Sequence, residues 1–240
     1  MDFVEQIEIQ SAALRGVAVA AGPDAPVPTC PGWTVFALVT HVGRAQTLAG
    51  AALRSAPDEP PAPVRESPED FDELLTWWDE RRATLVDRLR DTSPDAVLWG
   101  FAGPVDVAWW ARRQAHEIAI HRLDGEHAAE HAVAPLLYDP EFAADGVDEY
   151  LDLVLRHAAH RAPVEVTGRL LLHAADAERA WEVTLTAGEP PVVGGVSGAA
   201  TDTDCVVAGT ADSVYRAVWR RPSGAVVSGD ATLLSALPAP

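Results

Sequence analysis

A chain of 240 residues, 48% hydrophobic and 22% charged, is long enough for one large or two small domains and can bury a sizeable core, which excludes a disordered tail. Its 18 basic and 36 acidic residues leave a net charge of -18, which argues against nucleic acid and against an anionic membrane surface, since both demand clustered cations. The acidity is not that of a tail: residues 1–130 carry 11 basic and 21 acidic groups, and residues 131–240 carry 7 and 15.

The chain opens on Met1-Asp2-Phe3-Val4-Glu5, acidic where a secretion signal would be basic. Residues 3–21 then place Phe3, Ile7, Leu14 and Val17 near one face, a helical period that Gly22-Pro23 ends. Pro28 to Trp33 reads as a tight turn, and Thr34 is a natural N-cap for a second helix from Val35 to about Arg54. The segment from Ala56 to Pro63 is a proline-rich connector that can span a distance but cannot pack. Ser67 opens a third helix running to about Arg90. The aromatic loop Trp99-Gly100-Phe101-Ala102-Gly103-Pro104 precedes a fourth helix from Asp106 to Asp124, ended by Gly125. Two short connections and one long one between amphipathic helices predict a four-helix bundle with a crossover over residues 1–130.

Beyond residue 130 the pattern changes. A helix over about 140–160 is followed by β-like segments at Val164–Leu172, Trp181–Thr186, Pro191–Val193 and Cys205–Ala208. A helix over Asp212–Arg221 and a short one over Asp230–Leu237 complete residues 131–240, an α+β domain with a mostly antiparallel sheet. No apolar run is long enough to span a bilayer. There is no lysine, so Schiff-base chemistry on lysine and a phosphate-loop lysine are excluded. Cys30 and Cys205 make no disulfide framework, and Cys30, between two prolines, reads as a buried structural thiol. The expectation is a cytoplasmic protein with reduced thiols, a monomer or weak dimer.

Chemistry concentrates on the fourth helix. Glu117 and His121 are four residues apart, on one face and one turn from each other, so they can hold a single metal ion through imidazole nitrogen and carboxylate oxygen. The same Glu117 can equally pair with Arg113. His41, within the apolar second helix, is a core histidine in one reading and a third ligand in the other. Projecting into a bundle interior shared with Glu117 and His121, it completes the two-nitrogen, one-carboxylate set of a catalytic zinc with an open position. Asp124, three residues past His121, is placed to orient that imidazole. His116 points about 100° away from Glu117 and reads as a neighbour at the rim or against the second domain. His127 and His131 repeat the spacing of four in a polar stretch and read as solvated. His157, His160 and His173 read as structural.

Several of these runs carry a resemblance. Thr29-Cys30-Pro31-Gly32-Trp33-Thr34 before His41 resembles the entry to the second helix of DinB-like metal-binding bundles. The runs from Trp99 to Pro104, Trp110 to Glu117 and His121 to Asp124 are similar to the fourth helix of the mycothiol-dependent maleylpyruvate isomerase family. A looser match lies around Val214–Arg221 and Gly229-Asp230-Ala231. The resemblance implies a DinB-like bundle joined to a sterol-carrier-protein-like domain, with zinc or another divalent metal on His41, Glu117 and His121. It further implies mycothiol as thiol cofactor and a small electrophilic substrate that is isomerised from cis to trans or taken up by S-transfer. On that reading Arg44 steers an acidic substrate, Arg220 and Arg221 reach in from the second domain, and Trp99, Phe101 and Trp110 wall the pocket. Each has a plainer role: surface arginine, helix-end cation, core aromatics. A metal-dependent hydrolase and a non-catalytic small-ligand-binding protein are the competing functions.

Overall fold

The computed structural model describes residues 1–64, 66–129, 133–134, 136–155, 164–195 and 203–238. It divides into two compact units, residues 2–133 and 134–240, the latter joined by Met1. The readings made for His131, His157 and His160 fall outside the described residues.

The first unit contains α1 (Phe3–Ala21), α2 (Val35–Ala52), α3 (Phe71–Asp91) and α4 (Val107–Ala128). Each starts on a side-chain oxygen that takes up first-turn amides: Asp2, Thr34, Asp70 and Asp106. The third helix therefore begins at Phe71, four residues after Ser67, because the cap is Asp70. α1 packs along α4 and α2 along α3, while α2 also meets α4. Contacts fix the directions. Phe36 lies on Phe71 and Arg88 donates to the Gly50 carbonyl, so α2 and α3 run parallel. Phe3 meets His116 and Gln10 meets Arg122, so α1 runs parallel to α4; Glu8 meets Arg90 and Arg15 meets Asp79, so it runs antiparallel to α3. The bundle is up-down-down-up. Two adjacent parallel helices need a return along the bundle, about 27 Å for the 18 residues of α2. The proline-rich connector supplies that crossover.

The core holds Leu14, Ala18, Val35, Leu38, Val39, Val42, Leu74, Leu75, Trp78 and Ile118. The expected helix end at Gly125 is corrected: α4 continues to Ala128. Gly125 serves close packing instead, since a Cβ there would lie 2.6 Å from Leu14 Cδ1.

The second unit contains α5 (Pro140–Glu149), a π-helical turn (Tyr150–Leu155), β1 (Gly168–Ala174), β2 (Arg179–Leu185), β3 (Val192–Gly195), β4 (Cys205–Gly209), α6 (Ala211–Val218), β5 (Val226–Gly229) and α7 (Thr232–Ala236). The sheet order is β3-β2-β1-β4-β5. β1 and β4 pair in parallel and the other three pairings are antiparallel. One face buries Leu170, Leu172, Trp181, Val183, Cys205 and Val207, and α6 and α7 pack on β1 and β4. Val164–Thr167 precede the ladder rather than joining it. Their groups bond to the turn after β2, through the Val164 carbonyl to Gly188 N and Thr167 Oγ1 to Ala187 N. β5 is an addition to the sequence reading; its four residues are all exposed, so no alternation of apolar and polar residues marks it. Buried Asp212 accepts from Tyr138 N at 3.1 Å and pairs with Arg216, whose guanidinium donates to the Ala134 carbonyl at 3.0 Å. That network ties Ala134 and Tyr138 to α6.

Candidate metal centre

α2 and α4 lie side by side and antiparallel, so a residue two turns into α2 faces the middle of α4. His41 and the Glu117–His121 pair occupy those positions. His41 Nε2 lies 2.9 Å from Glu117 Oε1, and His121 Nε2 lies 3.4 Å from the same oxygen. The two imidazoles cross edge to face with centroids 4.7 Å apart. One donor atom from each of the three residues fits within a 4.8 Å span. Tetrahedral zinc at about 2.0–2.1 Å from each donor requires donors roughly 3.4 Å apart, a spacing that the 2.9 and 3.4 Å separations here approach. The centre is asymmetric. His41's side chain is 40% exposed and His121's 10%, which leaves a solvent-facing side at His41.

Opposing charges set the electrostatics of the centre. Burial pushes the Glu117 carboxyl up, but the Arg113 guanidinium and hydrogen bonds from His121 and His41 outweigh it and hold the group well below the usual range. Burial pushes the His121 imidazole down, yet Asp124, Cys30 and Glu117 together raise it well above its ordinary value. The Arg113 guanidinium and the His121 ring face the two carboxylates, Glu117 and Asp124. The ion pair that the spacing allowed is formed: Arg113 bonds Oε2, leaving Oε1 to the histidines.

Asp124 sits where its spacing put it, with Oδ2 2.9 Å from His121 Nδ1. Three partners were not legible beforehand. Thr29 donates to Asp124 Oδ1 at 2.6 Å and Cys30 to Oδ2 at 3.3 Å. Trp33 stacks on the His121 ring at 6.0 Å and 22° and tilts against His41 at 5.0 Å. Only the shared turn before His41 hinted at them. The reading of Cys30 as a buried structural thiol is corrected: it is half-buried and bonded to the carboxylate behind His121. His116 is corrected too. It is fully buried with its ring 6.0 Å from that of Phe3 of α1, so it does not lie at a rim.

The remaining expected site residues have structural partners of their own. Arg44, one turn beyond His41 on α2, donates to Ser67 Oγ of the connector at 3.1 Å. Trp110 is fully buried, stacks on Trp99 at 6.1 Å and donates to the Trp99 carbonyl, with Phe101 and Trp109 edge-on around it. That cluster sits about 10 Å up the axis of α4 from Glu117, two turns away. In the second unit, Arg220 adopts a left-handed φ of 60° and donates to the Ser235 and Leu237 carbonyls, while Arg221 donates to the Trp219 carbonyl. Both arginines brace the ends of α6 and α7.

Residues 4–125 match the family described as the mycothiol maleylpyruvate isomerase N-terminal domain, and the match spans the bundle and every residue of the candidate centre. The chain belongs to that family. Two crystal structures share the fold across 95% of this chain and 92% of their own, each with a TM-score of 0.66. They are the mycothiol-dependent maleylpyruvate isomerase, 17% identical, and a histidine-to-alanine mutant of it, 15% identical. Among curated proteins nothing matches significantly. Similarity at that level identifies the two-domain isomerase fold, and the reaction has to be argued from the site. Among the described residues no helix is long and apolar enough to cross a membrane.

Proposed function

We propose that this family member is a divalent-metal enzyme that uses mycothiol to isomerise or S-transfer a small electrophile, with zinc the metal that its donors suit. The observation that carries the reading is the convergence of His41, Glu117 and His121 on one point, with His41 half-exposed. Three protein donors with one side open is the arrangement of a catalytic site rather than a structural one. Zinc bound there supplies a Lewis acid that turns a thiol into a nucleophilic thiolate at neutral pH. His41 and His121 contribute neutral nitrogens, and Glu117 offsets part of the ion's charge. Arg113 keeps that carboxylate ionised and leaves only one oxygen turned to the histidines. Asp124 fixes the His121 ring. Arg44, on the same helix as His41, supplies positive charge for a substrate carrying a carboxylate. In the maleylpyruvate isomerase-like reaction the thiolate adds to a cis double bond conjugated to a carbonyl. Rotation about the resulting single bond and elimination of the thiolate then give the trans product.

A hydrolase on the same centre needs a further base to manage the proton of an attacking water. The two carboxylates of the centre are otherwise engaged, Glu117 with both histidines and Arg113, and Asp124 with His121, Thr29 and Cys30. A thiol makes no such demand. The test is a cobalt-substituted protein titrated with mycothiol. A thiolate-to-cobalt charge-transfer band and thiol-dependent turnover of an activated cis-alkene are expected. A spectrum unchanged at saturating thiol, with thiol-independent ester or amide hydrolysis, would establish the hydrolase instead.

A further inference from the structure

We propose that Thr29 and Cys30 are positioning residues for the metal centre: through Asp124 they lock the His121 ring with Nε2 facing His41 and Glu117. The proposal rests on the metal-centre reading above and extends it to residues some 90 positions away in the chain.

Asp124 is fully buried one turn from the C-terminal end of α4, where both desolvation and the helix dipole disfavour an anion. It is held there by donors on both oxygens: Thr29 Oγ1 at 2.6 Å on Oδ1, and Cys30 Sγ at 3.3 Å with His121 Nδ1 at 2.9 Å on Oδ2. A carboxylate accepting from all three is an acceptor only, so the hydrogen at His121 must sit on Nδ1. When the ring is neutral, as metal ligation requires, the lone pair then belongs to Nε2, the nitrogen 3.4 Å from Glu117 Oε1. The Trp33 indole stacks nearly parallel to the His121 ring, centroids 6.0 Å apart.

The local sequence explains why one turn does all of this. Cys30 N bonds the Val27 carbonyl, Trp33 N bonds the Cys30 carbonyl and Val27 N bonds the Trp33 carbonyl, which folds residues 27–33 back on themselves. Gly32 permits this with a φ of 85°, which a side chain would strain. Thr34 then caps α2, and His41 follows two turns later. The segment that starts the helix of the first ligand thus also supports the second. Removing such outer partners typically costs tenfold to a hundredfold in metal affinity.

The test is zinc affinity by chelator competition on the full chain, with the cobalt ligand-field spectrum and the thermal midpoint of the metal-free protein as companion readouts. Thr29→Val combined with Cys30→Ala is expected to weaken zinc binding about tenfold or more and to shift the cobalt bands. Thr29→Ser and Cys30→Ser, which keep a donor, should bind as the parent does. Should the double variant fail to fold, Cys30→Ala alone is expected to weaken binding by a smaller factor that Cys30→Ser restores. A folded Thr29→Val/Cys30→Ala protein that binds zinc as tightly as the parent, with an unchanged cobalt spectrum, would overturn the positioning role alone. A parent chain that binds no zinc would overturn the metal centre and the positioning role together. Zinc kept by His41→Ala but lost by Cys30→Ala would put the ion on the Nδ1 side of His121 and overturn both.

Discussion

Replacing Arg113 by methionine removes one charge from the centre while roughly conserving volume. Arg113 and Glu117 lie one turn apart with side chains 8% and 21% exposed. Two unit charges about 4 Å apart at an effective dielectric of about 20 attract by about 4 kcal/mol, and breaking a buried pair by removing one partner costs about 3–5 kcal/mol. Partial exposure favours the lower end, so about 3 kcal/mol is expected from the metal-free bundle, a fall of roughly 10 °C in its thermal midpoint. Glu117 would also lose its principal counter-charge, and burial would carry its carboxyl back toward or above the usual range. A divalent ion on His41, Glu117 and His121 replaces that counter-charge. The zinc-loaded Arg113→Met protein should therefore lose less stability than the metal-free one. If the difference is about 1.4 kcal/mol, linkage requires that zinc bind the variant about tenfold more tightly than the parent. Thermal unfolding followed by circular dichroism, with chelator and then with excess zinc, measures both losses. Equal losses in the two conditions would refute the idea that Arg113 and the ion share one carboxylate.

His41→Ala or His121→Ala should lose the metal while His116→Ala and His127→Ala keep it, as measured by metal content after purification without a metal-affinity tag; a fully loaded His121→Ala protein would sink the ligand assignment. Because His121 is raised in the metal-free fold, proton and zinc compete for it, so zinc affinity should climb as pH rises through that raised value, with protons released on binding. Over the same window the metal-free bundle loses the stability that protonated His121 provides below the ordinary imidazole pKa. The contribution of Glu117 has the opposite sign: it is present above the ordinary carboxylate range and lost as pH falls through its lowered value. Denaturant titrations at several pH values, with and without zinc, separate these terms, and a zinc affinity independent of pH would contradict them. Gly43→Ala on α2 would place a Cβ 2.2 Å from Trp77 Cζ3 of α3. The overpacking should outweigh the helix-propensity gain and cost about 1–3 kcal/mol, so an unchanged thermal midpoint would disprove the close parallel packing of α2 and α3.

Local geometry is what the sequence determined by itself. Glu117 and His121 share a face because four residues make just over one helical turn, and Asp124 follows His121 by the same rule. Thr34 announced a helix start because its side chain satisfies an amide that the helix cannot. The long proline-rich segment implied a crossover because it cannot pack, whatever its neighbours. The tertiary structure decided which helices meet. Periodicity marks an apolar face but not the partner that covers it, so only the packed bundle shows α2 antiparallel to α4 and His41 opposite Glu117. For the same reason His116, whose face looked unclaimed on its own helix, is buried against Phe3 of α1. Thr29 and Cys30 reach Asp124 across more than 90 residues. No spacing rule extends that far, because contacts at such separation are set by the collective burial of the core rather than by the backbone's own repeat.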